Sequence, residues 1–293
     1  MDEIGIVIFC TVDIAKSCGI LSKFLFEAVS WGYFYIQVKA KPLSGKPLKT
    51  AEEEYPFSVL IVGKISSKGN TQLVCTGSLI SRNQVLTAAS CLEGKQLADL
   101  QAIVSIGKTK VKKKGIFDIS SKVTYENYMT ELRLRKQFKP SEIEDLAILE
   151  LSVEDTGITP ARISFKTDIP KAGHTVKIVG FNGKDTKLSS PRVAYGSLTV
   201  LDKKLCDDQA KLIAVDYRRF VWTNRIICAQ TYPPILANNG DFGGPILNEK
   251  GKIVGISFKG RSDSEPIRLI PKGQANLILR IGWYEDFITT YKH

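Results

Sequence analysis

The sequence predicts an all-β fold that ends in a helix. Short segments of alternating apolar and polar residues are separated by turns, which is typical of β-barrels or β-sandwiches. The period changes near the carboxyl end, where Ile281, Tyr284 and Ile288 lie at helical spacing. A chain of 293 residues, 43% of them hydrophobic, is long enough for one large or two modest domains of ordinary soluble composition.

Five alternating segments predict strands, two in the first half of the chain and three in the second. In chain order these segments are residues 57–65, 72–80, 175–181, 196–201 and 252–258. No internal repeat links the two halves, so each strand is predicted from its own pattern.

Three motifs identify the chain as resembling a known family. Residues 87–91 read T-A-A-S-C, residues 145–149 read D-L-A-I-L and residues 240–245 read G-D-F-G-G-P. They resemble the T-A-A-H-C, D-I-A-L-L and G-D-S-G-G-P signatures of trypsin-like serine proteases. By this resemblance Ser90 stands in place of the catalytic histidine, Phe242 in place of the nucleophilic serine, and Asp145 is the retained aspartate of the triad.

The resemblance runs from about residue 43 to the carboxyl end and implies a specific architecture. Residues 75–81 read C-T-G-S-L-I-S, close to the family's C-G-G-S-L-I-S, and residues 254–258 resemble its V-G-I-V-S-W strand. The family fold consists of two six-stranded antiparallel β-barrels. We expect the first at about 55–160, the second at about 170–278, and a C-terminal helix at about 279–291 that packs on the second barrel.

The two substitutions remove the chemistry of the family. The mechanism needs an imidazole that takes the serine proton and returns it to the leaving amine. Ser90 is no base at neutral pH, and the phenyl ring of Phe242 has no atom that attacks a carbonyl. Loss of either group in a related triad costs on the order of 10⁶ in turnover. We therefore expect no active catalytic residue.

No other histidine is expected to replace the missing base. The chain holds only His174 and His293. The first lies in an alternating segment that predicts a strand-face side chain, and the second is the terminal residue, where fraying is the usual behaviour.

The nucleophile turn and the specificity pocket also depart from the family. Gly240, Asp241 and Phe242 form the former oxyanion-hole turn by resemblance, in which glycines permit unusual backbone angles. Leu236, Ser257 and Phe258 mark the pocket region. Asn238 stands where the first cysteine of the pocket disulfide is expected, and no partner cysteine follows Ser257. We expect a pocket that is collapsed, apolar or filled by Phe242.

Activation by a new amino terminus is not expected. Residues 43–46 read L-S-G-K where the family has I-V-G-G, and residues 1–42 are interpreted as a leader or propeptide-like extension. The carboxylate of Asp241 therefore needs another hydrogen-bond partner or exposure to solvent. The carboxylate of Asp145 is expected to accept hydrogen bonds from the Ser90 hydroxyl, nearby main-chain amides and Ser257.

The six cysteines favour an oxidising compartment. By resemblance Cys75 pairs with Cys91, and Cys206 pairs with Cys228. Cys10 and Cys18 have no family counterpart, and they either pair with each other, stay free or lie in a segment that is removed. We expect a secreted, extracellular protein, although Asp2 and Glu3 are unusual at the start of a signal peptide. Lys23 and Glu27 argue against a membrane anchor in residues 19–38.

A formal net charge of +11 raises the question of an acidic partner. One segment is dense in lysine and is either a solvated loop or a patch for heparin-like polymers, acidic lipids or an acidic protein surface. Its members are Lys108, Lys110, Lys112, Lys113 and Lys114. A second basic group consists of Arg133, Arg135, Lys136 and Lys139. The sequence shows no nucleic-acid motif and no spaced metal-ligand cluster, and no metal or other cofactor is expected.

Three functions follow from these observations. The first is a non-catalytic serine protease homolog that binds a protein partner, such as a protease, zymogen or inhibitor, as decoy, cofactor or regulator in a proteolytic or immune cascade. The second is a serine endopeptidase, as the fold alone implies. The third is a cationic binder of acidic polymers or surfaces.

Overall fold

The computed structural model describes residues 54–64, 73–104, 115–132, 145–166, 168–181, 193–213, 225–232, 235–237, 240–258 and 275–293. Contacts divide the chain into Met1–Ala40 and Lys41–His293, and every described residue lies in the second unit. Residues 1–46, which include Cys10, Cys18 and the segment interpreted above as a leader or propeptide-like extension, lie outside the described residues, as do Asn238 and both basic groups.

Within the described part of the chain, twelve strands form two closed antiparallel barrels of six strands each, which confirms the predicted fold class. The first barrel has the strand order β1-β2-β3-β6-β5-β4. Its strands are β1 Ser58–Gly63, β2 Leu73–Leu79, β3 Gln84–Thr87, β4 Leu100–Val104, β5 Gly115–Thr124 and β6 Ala147–Leu151.

The second barrel repeats this architecture with the strand order β10-β11-β12-β9-β8-β7. Its strands are β7 Thr175–Gly180, β8 Ala194–Val200, β9 Ile226–Gln230, β10 Pro245–Leu247, β11 Ile253–Ser257 and β12 Asn276–Arg280. Because each barrel is closed, neither sheet has an unpaired edge strand that could pair with another chain.

Alternation explains why these segments are strands. In β8 every second side chain is buried, from Ala194 to Val200, whereas the residues between them are less covered. Strands such as β11 are buried along their whole length because one face fills the barrel and the other meets neighbouring elements. Burial of these β-branched and aliphatic side chains is the main driving force for the two cores.

The described residues include three helices outside the barrels: α1 Tyr125–Glu131, α2 Lys203–Ile213 and α3 Glu285–Tyr291. A 3₁₀ turn, Ile281–Tyr284, joins β12 to α3. Thr124 caps α1, because its hydroxyl oxygen accepts a hydrogen bond from the Asn127 amide at 3.1 Å.

The C-terminal helix makes contacts with the first barrel that the sequence did not predict. Although α3 follows the second barrel in the chain, its aromatic side chains meet helix α1 of the first barrel. The ring of Phe287 lies 5.6 Å from that of Tyr125 and 5.5 Å from that of Tyr128, and Gln84 in β3 donates to the Tyr291 carbonyl at 2.6 Å. Helical spacing predicted the helix, but it did not indicate which barrel provides the aromatic partners.

Candidate functional site at the junction of the barrels

Ser90 lies on the 3₁₀ turn Ala89–Leu92 that follows β3. Its neighbour Cys91 is disulfide-bonded to Cys75 in β2, which ties this turn to the wall of the first barrel. This pair and Cys206–Cys228 are the two disulfides that the resemblance implies.

Asp145 faces Ser90 because of the register of two strands. Thr87 at the end of β3 pairs with Ala147 at the start of β6, so the residues just beyond these ends meet. The Ser90 amide donates to Asp145 Oδ1 at 2.6 Å, and the Ser90 hydroxyl donates to Asp145 Oδ2 at 2.8 Å. The carboxylate is buried, with 9% of the residue exposed.

Burial governs the ionisation of Asp145. Desolvation raises the pKa of this carboxyl, and the hydrogen bonds from Ser90 and from the Ala89 amide lower it without cancelling the effect of burial. The nearby charge of Glu93 also raises the pKa. The hydrogen-bonding capacity of the Asp145 carboxylate is satisfied by these partners. Ser90 presents no imidazole for the carboxylate to orient.

The turn containing Phe242 is fixed by main-chain hydrogen bonds to both barrels. The Thr76 amide of β2 donates to the Phe242 carbonyl at 2.9 Å. On the other side, the Gly243 amide donates to the Ser257 carbonyl at 2.7 Å, and the Ser257 amide donates to the Gly244 carbonyl at 2.8 Å. The ring of Phe242 is half-buried and packs against the hydrophobic core.

Two glycines of this turn have backbone angles that favour glycine. Gly240 has a φ of 90° and Gly243 a φ of 78°. A Cβ on Gly243 would overlap the Thr87 side chain and approach the Thr76 carbonyl oxygen to 2.5 Å. The turn therefore keeps its shape although its central residue is a phenylalanine.

Thr76 is a residue that the sequence analysis missed. Its buried hydroxyl donates to the Gly240 carbonyl at 2.6 Å, and its own carbonyl accepts from the Thr87 hydroxyl at 2.9 Å. The signal was the threonine at the second position of C-T-G-S-L-I-S, where the family motif has glycine. This hydroxyl adds a hydrogen bond between the first barrel and the turn.

Asp241 is fully buried, which excludes the solvent-exposed alternative. Its Oδ1 accepts a hydrogen bond from the Phe181 amide at 3.0 Å. The carboxylate comes this close because Gly180 has no side chain; a Cβ there would lie within 2.9 Å of the Asp241 carboxyl carbon. Asp241 is thus hydrogen-bonded inside the protein, which is the alternative to solvent exposure that the sequence predicted.

The expected hydrogen bond from Ser257 to Asp145 is wrong. The Ser257 hydroxyl is buried and makes no hydrogen bond in the part of the chain that the structure describes. Both main-chain groups of Ser257 are paired with the Phe242 turn, and both oxygens of Asp145 accept from Ser90. The position of Ser257 is therefore determined by its backbone rather than by the aspartate.

The pocket-region residues are covered to different degrees. Phe258 is 5% exposed and Leu236 is half-buried. Neither histidine donates to Asp145: His174 is exposed in the turn before β7, and the His293 amide donates to Gln84 Oε1 at 3.0 Å. Across the described residues no group of three His, Cys, Asp or Glu side chains is arranged to hold a metal ion.

Comparisons with known proteins agree with this architecture. The family model described as Trypsin matches residues 48–272. Two antiparallel barrels with a turn and an acidic residue at their junction define a trypsin-like serine protease fold. The chain belongs to the trypsin family.

Two relatives show the range of the sequence likeness. Trypsin theta of Drosophila erecta is 29% identical over 67% of this chain and 69% of its own length. The snake venom serine protease homolog rhinocerase 3 of Bitis rhinoceros is 26% identical over 80% of this chain and 83% of its own length.

Solved structures share the fold at lower identity. The scabies mite inactivated protease paralogue S-I1 superposes with a TM-score of 0.61 at 20% identity, covering 84% of this chain and 98% of the mite protein. Paralogue S-D1 has a TM-score of 0.58 at 19% identity, covering 84% and 97%. The VesB protease of Vibrio cholerae has a TM-score of 0.59 at 17% identity, covering 85% and 67%.

Proposed function

We propose that this chain is a secreted, non-catalytic serine protease homolog that acts by binding another protein. The observation that carries the proposal is the Ser90–Asp145 pair. Both carboxylate oxygens accept hydrogen bonds from a residue that has no basic atom. A proton relay cannot run through this pair, because an alcohol does not take a proton from a nucleophile at neutral pH.

The position of the nucleophile supports the same conclusion. Phe242 occupies the centre of a turn whose main chain is hydrogen-bonded to both barrels. A hydrocarbon ring at this point forms no acyl intermediate. The fold is thus maintained around a centre that lacks both reactive groups.

The relatives support a non-catalytic role. A venom relative is described as a serine protease homolog, and two mite proteins with the same fold are described as inactivated protease paralogues. Proteins that have lost activity therefore occur on this fold, and this chain is proposed to be another.

Two disulfides support an extracellular location, since such bonds persist in oxidising compartments. Venom proteins among the relatives point the same way. Among the described helices none has the length and apolar character to cross a membrane.

The proposed partner is a protein of a proteolytic or immune cascade, namely a protease, a zymogen or an inhibitor. On this proposal the loops of the trypsin-like fold serve as a decoy, cofactor or regulatory surface. A pull-down with the purified chain from its native extracellular fluid tests this role, and recovery of a protease, zymogen or inhibitor at physiological salt is expected.

Salt separates this function from the cationic alternative suggested by the net charge of +11. Binding that persists at about 0.5 M salt indicates a specific protein interface, whereas binding to heparin-like polymers is lost as the Debye length falls. Recovery of acidic polymers alone, released by modest salt, would replace the proposal with the cationic alternative. Steady hydrolysis of peptide esters by the purified chain would replace it with the endopeptidase alternative.

A further inference from the structure

Ser58 and Ser78 face each other across the first two strands of the first barrel, where they are partners in the β1–β2 register. The Leu79 amide donates to the Phe57 carbonyl at 2.8 Å. The next pair along the ladder, Ser58 with Ser78, is therefore one that main-chain hydrogen bonds do not join directly. Side chains in such a pair lie closest together, with Cβ atoms about 5 Å apart.

Both serines are buried, with 2% of Ser58 and 0% of Ser78 exposed. Within the part of the chain that the structure describes, neither hydroxyl oxygen has a hydrogen-bond partner. Burial of a hydroxyl is unfavourable unless a partner replaces the solvent contact that it loses. Because the two hydroxyls are neighbours, one shared partner would satisfy both.

The two hydroxyls lie on the outer face of the first barrel. A Cβ on Gly77 would meet the side chains of Val85 and Ile61 in the barrel interior. Side chains alternate between the two faces along a strand, so Thr76 and Ser78 face outward.

Thr76 shows that the second barrel covers this outer face. Its hydroxyl donates to the Gly240 carbonyl at 2.6 Å, and its Cγ2 lies 3.1 Å from the position that a Cβ on Gly244 would take. Both glycines belong to the turn before β10 of the second barrel. Ser78, two residues further along the same face, is buried on the side that the second barrel covers.

Ser58 lies beside another contact between the barrels. Its amide donates to the Tyr55 carbonyl at 3.0 Å, and the ring of Tyr55 lies 5.6 Å from that of Tyr195 in β8. The Ser58–Ser78 pair is thus located between two contacts that join the barrels.

Water has the right chemistry for the shared partner of these hydroxyls. It donates and accepts hydrogen bonds, as each serine hydroxyl does, and buried waters pair with polar groups of this kind. Two hydrogen bonds of about 2.8 Å to one water span hydroxyl oxygens up to about 5 Å apart. An ion would instead bring a charge into a buried site, at a cost that two neutral hydroxyls do not offset.

We infer that Ser58 and Ser78 form a buried binding site for one water molecule between the two barrels. The water bridges the two hydroxyls, so the contact between the barrels is hydrated at this point. The site is independent of the proposed function, because neither hydrolysis nor a protein partner enters into it.

A crystal structure of the unaltered protein, at a resolution that shows ordered water, is the first test. One ordered water is expected within about 3.2 Å of both Ser58 Oγ and Ser78 Oγ. A direct hydrogen bond between the two hydroxyls, or two hydroxyls with no ordered water beside them, would overturn the site. This result does not depend on whether any variant folds.

Ser58→Ala combined with Ser78→Ala is the second test, measured by water magnetic relaxation dispersion. The method counts waters that stay bound for longer than the protein takes to tumble. The double variant is expected to hold one long-lived water fewer than the unaltered protein, because a site lined by methyl groups stays dry. An equal number in both proteins would contradict the site.

Ser81→Ala is the matched control. Ser81 is 6% exposed, and its hydroxyl donates to Gln84 Oε1 at 3.0 Å. It is also a buried serine of the first barrel, but its hydroxyl already has a protein partner. The number of long-lived waters is expected to stay as in the unaltered protein, and loss of a water from this variant as well would contradict the assignment of that water to Ser58 and Ser78.

Discussion

Ser90 donates to both oxygens of the Asp145 carboxylate, through its main-chain amide at 2.6 Å and its hydroxyl at 2.8 Å. In an active relative the aspartate orients an imidazole. Here the carboxylate accepts its hydrogen bonds from the neighbouring residues Ser90 and Ala89. We propose that Asp145 has a structural role here, and its contribution to stability is measurable.

Ser90→Ala is expected to lower the free energy of unfolding by about 1–3 kcal/mol, because Asp145 Oδ2 loses its hydroxyl donor in a buried site. Denaturant unfolding at pH 7 measures the change. Ser152→Ala is the control: its exposed hydroxyl donates to the Asp118 carbonyl at 3.0 Å, and its loss is expected to cost less than about 0.5 kcal/mol. Equal costs for both variants would show that the Ser90 hydroxyl does not stabilise the acid.

Asp145→Asn is expected to change the pH dependence of stability. Since burial raises the pKa of Asp145 above its unfolded value, the folded protein binds more protons than the unfolded chain between the two pKa values. Asp145 therefore makes the unaltered protein lose stability as pH rises through that window. The variant lacks this contribution, so its stability relative to the unaltered protein should increase from pH 4 to pH 7.

Denaturant unfolding at several pH values measures this difference. If the stability of the variant relative to the unaltered protein instead falls as pH rises, the folded pKa of Asp145 is depressed and its hydrogen bonds outweigh desolvation.

Gly243→Ala is expected to destabilise the protein by about 2–4 kcal/mol, since the added Cβ combines an unfavourable positive φ with overlap of the Thr87 side chain. Gly251 is the matched control: its φ is 71°, and a Cβ there meets open space, so Gly251→Ala carries only the backbone cost of about 1 kcal/mol. Thermal or denaturant unfolding compares the two. A similar cost at both positions would contradict close packing of the Phe242 turn.

The motifs predicted much of this molecule. Alternating segments indicated strands, and the resemblance gave the two barrels and implied the pairs Cys75–Cys91 and Cys206–Cys228. The contacts of Asp145 with Ser90 also follow from motif order, because the ends of β3 and β6 meet in this fold.

The motifs and the alternation of residues did not predict the side-chain contacts between distant parts of the chain. The Thr76 hydroxyl donates a hydrogen bond to the Gly240 carbonyl, 164 residues along the chain. The buried side chain of Asn276 donates to the Ile235 carbonyl and accepts from the Ala237 amide, 41 and 39 residues away. Periodicity reports which face of an element is buried, not which distant carbonyl a buried hydroxyl or amide reaches. The same reason explains the wrong expectation for Ser257, and it explains why the contact of the C-terminal helix with the first barrel was not predicted.

Placing a histidine at position 90 and a serine at position 242 tests whether the departures from the family motifs extend beyond these two positions. Ser90→His with Phe242→Ser is expected to hydrolyse peptide esters no faster than Phe242→Ser alone, because the activation sequence at residues 43–46 and the pocket disulfide remain absent. Unfolding measurements confirm that the variant is folded. Brisk turnover by the double variant would show that only the base and the nucleophile had been lost.

Intact-mass measurement of the purified, unaltered chain after incubation with a serine-directed phosphonate tests the central claim most directly. With no general base and a phenyl ring at the nucleophile position, the mass is expected to stay unchanged while an active trypsin in the same experiment gains one adduct. A stoichiometric adduct on any side chain at the junction of the barrels would contradict the non-catalytic function.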